Sequence, residues 1–254
     1  MRTALVLAER NVKHWRRYPV VPLQALLLPT LLLLTYDLVV SKSMVELTGA
    51  DNLSALVPMC TVAGAMMAAI GTGFQIPAER DSGLLSSLWV MPVHRGSFLA
   101  GTLLSEALRT VAAGIVILLV GMSLGLRFHG DWLALVVFLA IPALVVAVFA
   151  AIVVTVSVHT RSSALLTLLG TSAIGMAFCT GGVAPVELFP AWLQPGIRLQ
   201  PLTPVVDAMR ALAEGEPAGT PLLACLAWLL VLTAVFGPLA VRGYRAAAQT
   251  GGTG

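Results

Sequence analysis

The chain is patterned mainly by long apolar stretches broken by short polar ones. Six stretches are long enough to cross about 30 Å of hydrocarbon, at roughly 19–40, 55–76, 99–126, 132–157, 163–185 and 221–241. Basic residues precede the first, as in a signal peptide. Its apolar run exceeds a typical h-region, however, and no A-x-A site follows, so it reads as a retained span. The expected fold is an all-α integral membrane domain covering residues 1–254 as one unit.

Three segments between or before the spans have patterns of their own. Leu5, Ala8, Val12 and Trp15 recur at helical spacing, while Glu9, Arg10, Lys13, Arg16 and Arg17 take the other faces, with Glu9 and Lys13 in the favourable i, i+4 order. Residues 1–18 therefore predict a helix lying on the membrane surface, either as a topology anchor or as a docking surface for a cytoplasmic partner. Residues 77–96 are too polar to span and too patterned for a flexible linker. Asp81 or Ser82 caps a predicted short helix through Leu84, Leu85, Leu88 and Trp89, which Pro92 ends. An amphipathic helix of this kind, presented to the cytoplasm, suits mechanical coupling to another protein; the alternative is a surface turn.

The third segment is 181–215. Leu188, Phe189, Trp192, Leu193, Ile197 and Leu199 are too apolar for a free loop, yet Pro190, Pro195, Pro201 and Pro204 forbid one continuous helix. Thr203 as N-cap and Pro204 at the first helical position predict a short helix over 205–213, able to cover only about half a bilayer. The segment is expected to dip into the outer leaflet, where non-helical backbone needs protein or a water-filled cavity around it.

Composition agrees with a membrane chain: 58% of its 254 residues are hydrophobic and 11% charged, and the mean hydropathy is +0.92. Soluble domains carry about 25% charged residues. No residues remain from which to build a soluble catalytic domain. The net charge of +3 could suggest nucleic acid, but basic residues in such a chain are first topology signals. With both termini inside, ten Lys and Arg fall on the inner side and four on the outer, so the termini are assigned to the cytoplasm.

Few residues suggest chemistry. Cys60, Cys179 and Cys225 lie far apart in apolar runs and read as core residues. His14, His94, His129 and His159 are scattered, with no HExxH, so no metal site is expected. There is no GxSxG elbow and no GxGxxG. The two lysines, Lys13 and Lys42, follow Val12 and Ser41 rather than glycine, which excludes a P-loop. No cofactor is expected on this chain. Glu106 and Arg109 are placed to pair on one face of the third span, either deep in the membrane or, as helix length favours, at its cytoplasmic interface. Asp207 and Arg210 form a similar i, i+3 set in the outer helix. Gly64, Ala68, Gly71 and Gly73 would permit close packing of the second span.

In this order the residues resemble a known family, the membrane subunits of type-2 ABC exporters, and within it the actinobacterial daunorubicin/doxorubicin-resistance and lipid-export permeases. The resemblance rests on the basic N-terminal helix, six spans, Glu79-Arg80-Asp81-Ser82-Gly83 followed by Met91-Pro92, and Gly125-Leu-Arg-Phe-His-Gly130. Its most specific part is Leu188-Phe-Pro-Ala-Trp192, then Gln200-Pro-Leu-Thr-Pro204 and Asp207-Ala-Met-Arg-Ala-Leu212.

The resemblance implies a permease without its own ATPase site, in the plasma membrane, moving a drug, antibiotic, lipid or glycolipid outward. ATP and Mg would sit on a separate ATP-binding subunit present in two copies, beside a second six-span permease, identical or related. Glu9, Lys13, Trp15, Arg16 and Arg17 would belong to the connecting helix. Glu79, Arg80, Asp81, Gly83, Leu84, Leu88 and Met91 would belong to the coupling helix, and Phe189, Trp192, Asp207 and Arg210 to the outer gate. Three other readings compete: a non-transporting scaffold or immunity protein, a polysaccharide exporter subunit, and an intramembrane lipid-modifying enzyme using Glu106, Asp207 or His129.

Overall fold

A computed structural model of the chain describes residues 27, 29–39, 53–81, 97–159, 163–182 and 186–250. Within these, helices follow one another as α1 (Pro29–Val39), α2 (Leu53–Asp81), α3 (Ser97–Ser123), α4 (Trp132–His159), α5 (Ser163–Phe178), a 3-10 turn (Val186–Leu188), α6 (Gln194–Leu199), α7 (Leu202–Glu214) and α8 (Gly219–Thr250). No strand occurs among the described residues.

Among the described residues four stretches are long and apolar enough to cross a membrane: Leu53–Gly71, Gly101–Ser123, Trp132–Ser157 and Gly219–Gly243. They match the second, third, fourth and sixth expected spans. The fifth is represented by a shorter apolar helix, Ala164–Phe178, and of the first, Pro29–Val39 is described, as apolar helix, while most of 19–28 lies outside the described residues. The fifth stops well before residue 185, the expected end, because Thr180-Gly181-Gly182 is a run of poor helix formers. There the Thr180 hydroxyl donates to the Ala177 carbonyl and closes the last turn. Asp131 starts α4 by accepting the Ala134 amide at 2.8 Å, an N-cap.

α2 is the centre of the bundle, packed by α3, α4, α5 and α7. Its buried side chains Leu56, Met59, Val62 and Met66 meet Ile117 of α3, Phe138 and Val145 of α4 and Met209 of α7 in one core. In lipid such contacts are held by close packing rather than by expulsion of water. Gly64 lets α1 approach, since a Cβ there would fall 2.8 Å from the Pro29 ring. Tyr36 of α1 stacks on Phe178 at the end of α5, with centroids 5.7 Å apart. By contrast α8 lies against α4 and α7 with most of its surface exposed, as expected of a helix facing lipid. Cys60 and Cys225 are buried and Cys179 half-buried, all as free thiols.

Polar side chains within the spans are largely satisfied by their own helix. Thr61 donates to the Val57 carbonyl at 2.7 Å, Thr155 to Ala151 at 2.8 Å and Thr233 to Leu229 at 2.6 Å. This i to i−4 bonding lets a hydroxyl sit in an apolar span without an unmet donor.

Candidate functional site

Two places in the bundle collect charge. The first is on α3, where Arg109 donates to the Glu106 carboxylate one turn away. Both side chains are about nine-tenths buried, at 11% and 9% exposure. Glu106 lies about 13 Å along α3 from Ser97 at 1.5 Å per residue. Arg109 and Thr110 border a pocket of about 10 Å³ whose other walls are Pro29 of α1 and Thr61, Gly64, Ala65 and Ala68 of α2. The pair is enclosed between α3, α2 and α1, which decides its burial within the bundle but leaves open both expected positions, deep in the membrane or at its interface. Close approach of α1 to Gly64 closes the space into which these side chains would otherwise reach for water. An ionisable pair enclosed within an apolar helix, where buried charge is otherwise scarce among the described residues, is a functional candidate.

The second place is the end of the bundle that the charge bias assigns to the outside. Residues 186–218 fold back onto it as a broken element. The 3-10 turn and α6 are joined by Gln194, whose side-chain amide donates to the Phe189 carbonyl at 2.9 Å, and by an exposed Arg198–Glu187 contact at 3.4 Å. Then α7 lays an apolar face, Leu202, Val205, Val206, Ala208 and Met209, into the core and leaves Asp207 and Arg210 exposed. Such two-faced patterning suits a helix held at a boundary rather than across it.

Three contacts fix α7. At its start Thr203 is not the expected cap: the helix begins at Leu202, and the Thr203 hydroxyl donates back to the Ile197 carbonyl at 2.5 Å. The same oxygen accepts the Gln200 amide at 3.0 Å, and Gln200 also donates to the Cys179 carbonyl. A buried hydroxyl and amide thus pin the α6–α7 corner to the end of α5. The three prolines around this corner leave backbone carbonyls without intrahelical donors, which is why side chains are recruited. At its far end α7 stops at Gly215, which adopts φ +74°. There His129 donates its amide to the Ala213 carbonyl at 2.8 Å, and Gly130 passes so close that a Cβ would lie 2.4 Å from the Leu212 carbonyl oxygen. Glu214 accepts both Arg210, at 3.0 Å, and the Ser54 hydroxyl at the head of α2, at 2.5 Å.

The structure rearranges the expected partners. Arg210 pairs with Glu214 one turn on, rather than with Asp207. Although Asp207 sits on the exposed side of α7, its carboxyl approaches Gly181 and is partly desolvated there, which pushes it above the ordinary carboxylate value, and Arg210 pulls it part of the way back. Phe189 is half-buried, whereas Trp192 is 79% exposed. Ser54 and Glu214 were not singled out by sequence reasoning, and His129 and Gln200 were named there without the contacts to α7 and α5 that they make. The i, i+4 spacing of Arg210 and Glu214 was a usable signal, whereas nothing local ties Ser54 to a residue 160 positions away.

On the side that the charge bias assigns to the cytoplasm, 77–81 continue α2 as helix, so Asp81 is itself helical rather than the cap of a separate short helix; Ser82, the other expected cap, lies outside the described residues. Glu79, Arg80 and Asp81 lie on that extension. Gly83, Leu84, Leu88 and Met91, together with Glu9, Lys13, Trp15, Arg16 and Arg17, lie outside the described residues.

Residues 3–213 match the ABC-2 type transporter family, which spans every element from the N-terminal segment through α7. The chain belongs to this family. It is 31% identical over 247 residues to the probable doxorubicin resistance ABC transporter permease protein DrrC of Mycobacterium tuberculosis, covering 96% of this chain and 88% of that protein. To the daunorubicin resistance ABC transporter permease protein DrrB1 of Streptomyces coeruleorubidus it is 27% identical over 243 residues, covering 93% and 83%. As an ABC-2 permease the chain is the membrane-spanning component of an exporter in the plasma membrane, working with a separate ABC ATP-binding subunit.

Proposed function

We propose that this permease exports a hydrophobic or amphipathic drug-like compound, of the kind named for its relatives, in a complex of two permeases and two ATP-binding subunits. The observation that carries the reading is similarity along nearly the whole chain to permeases named for doxorubicin and daunorubicin resistance. The apolar bundle supports it: with the Glu106–Arg109 charges paired to each other, little is left to hold a polar solute in the membrane.

In this mechanism six crossings are made, α1 and α5 among them. ATP draws the two nucleotide-binding subunits together, and the motion enters through residues 77–96 and the N-terminal helix. The extension of α2 to Asp81 makes a continuous lever from that surface to the centre of the bundle. At the other end, α7 rides on the head of α2 through Ser54 and Glu214, so tilting α2 moves the outer segment. Phe189, Trp192, Asp207 and Arg210 form the rim of the outer mouth in this scheme.

A mild-detergent pull-down from native membranes, with mass spectrometry and an ATPase assay on the eluate, tests the assembly. Recovery of a P-loop subunit whose activity is stimulated by doxorubicin, and is uncoupled by Gly83→Pro, is the expected result. Clean recovery of the permease without any ATPase, under conditions that preserve other ABC complexes, would overturn it.

A further inference from the structure

Between α5 and α8 the bundle has a gap. Both helices pack on other partners, α5 on α2 and α8 on α4 and α7, and the space between them is floored by α4 and roofed by the start of α7. The resulting slot has a volume of about 220 Å³. Val145, Phe149 and Ile152 form its floor, Ala173 and Leu229 its sides, and Leu202 its roof. Apolar cavities of about 150 Å³ already accept a benzene-sized hydrocarbon.

Three observations define the occupant. The lining carries no charged residue, and its one hydroxyl, Ser172, is committed to the Leu169 carbonyl at 3.0 Å. The slot lies near mid-depth: Val145 is about 20 Å along α4 from Trp132, and Leu229 about 15 Å along α8 from Gly219. Its mouth, at the exposed residues Ser172, Met176 and Trp228, opens between helix faces carrying exposed Leu168, Leu226 and Leu230, a continuous apolar surface of the single chain that suits lipid. Beyond the Ser172 hydroxyl and the Trp228 indole at the mouth, the interior offers no polar side chain, so an amphipathic molecule reaching it would strand polar atoms at several kcal/mol each. Only the end of a hydrocarbon chain reaches the site without that penalty.

We propose that this slot is a lateral lipid site that takes the terminal part of an acyl chain from a membrane phospholipid, filling the space beneath α7. The chain end supports Leu202 and Val205 from below, so the outer segment rests partly on lipid. The site is separate from the proposed drug pathway and stands or falls independently of it.

The test uses the permease, with its copurifying subunits, in nanodiscs of phosphatidylcholine carrying a diazirine either at the end of one acyl chain or next to the glycerol. Irradiation and peptide mapping should give strong labelling of α4, α5 and α8 around Val145, Ala173 and Leu229 from the chain-end probe and none from the glycerol-proximal probe. Ser172→Trp, placed at the exposed mouth, and Ala173→Phe, placed inside, should each abolish that labelling and leave labelling of the lipid-facing Leu119 and Leu223 unchanged. Because Ser172 is exposed, its variant tests the slot even if Ala173→Phe fails to fold. Labelling no stronger than at Leu119 and Leu223 would overturn the proposal. So would loss of labelling on adding doxorubicin, which would give the slot to the transported compound, or equal labelling from both probes.

Discussion

Among the described residues two ion pairs join Arg and Glu about one turn apart on the same helix, and the two settings make chemically similar pairs do different work. On α3, Arg109 and Glu106 are sealed between three helices. On α7, Arg210 is 47% and Glu214 29% exposed at the end of the bundle. In the enclosed site neither charge can turn to water, so the pair is an all-or-nothing unit. At the outer end, water and a second partner, Ser54, share the load, and the pair serves to locate α7 against α2. Burial, more than sequence spacing, sets what an ion pair is worth.

The largest effect should come from breaking the enclosed pair on one side only. Glu106→Ala leaves the Arg109 charge without its carboxylate and is expected to cost about 3–5 kcal/mol, read as loss of folded permease in a thermal-stability assay. Replacing both, as Glu106→Leu with Arg109→Met, should recover most of that stability, since well-packed apolar residues often match a buried pair. A double variant as unstable as the single one would show that each charge has a separate partner. Transport by the stable double variant then reports whether the charges have a role beyond holding α3 against α2.

Next in size is the backbone contact at the outer end. Gly130→Val must push residues 128–130 away from the Leu212 carbonyl, at an expected cost of about 1–3 kcal/mol. Protease access to residues 129–131 should rise with it, while Gly175→Val, at a position with nothing within 4 Å, should leave both unchanged. Thr203→Val removes the hydroxyl shared by Ile197 and Gln200 and should cost about 1–2 kcal/mol, with Thr203→Ser restoring most of it. Hydrogen exchange at the α6–α7 corner is the direct measurement. Smallest is Glu214→Gln, which keeps an acceptor for Ser54 and gives up only an exposed ion pair. A change below about 1 kcal/mol is expected, and one as large as that of Glu106→Ala would erase the contrast between the two sites.

Part of this contrast was legible beforehand. The i, i+3 spacing of Glu106 and Arg109 is enough to predict that they meet, because helix geometry brings such positions onto one face. It could not say whether that face was enclosed, which depends on Pro29 of α1 reaching Gly64 across the bundle. The same spacing argument joined Asp207 to Arg210, yet Arg210 turned to Glu214, because Ser54 of α2 already holds that carboxylate beside it. Thr203 has the right chemistry for an N-cap, and residues 197 and 200 folded behind it gave its hydroxyl other partners.

The amino-acid sequence by itself determined that this protein is a multi-span membrane chain with a proline-interrupted segment before its last helix and no P-loop of its own, and the order of its motifs carried the resemblance to ABC-2 permeases. Those properties follow from local quantities: run length, proline positions, charge bias and the missing P-loop. The tertiary structure alone decided which charges are enclosed, what anchors α7 and where the acyl-sized slot opens. Each of these depends on side chains far apart in the chain meeting through helix packing, and packing is set jointly by all the helices that share a surface.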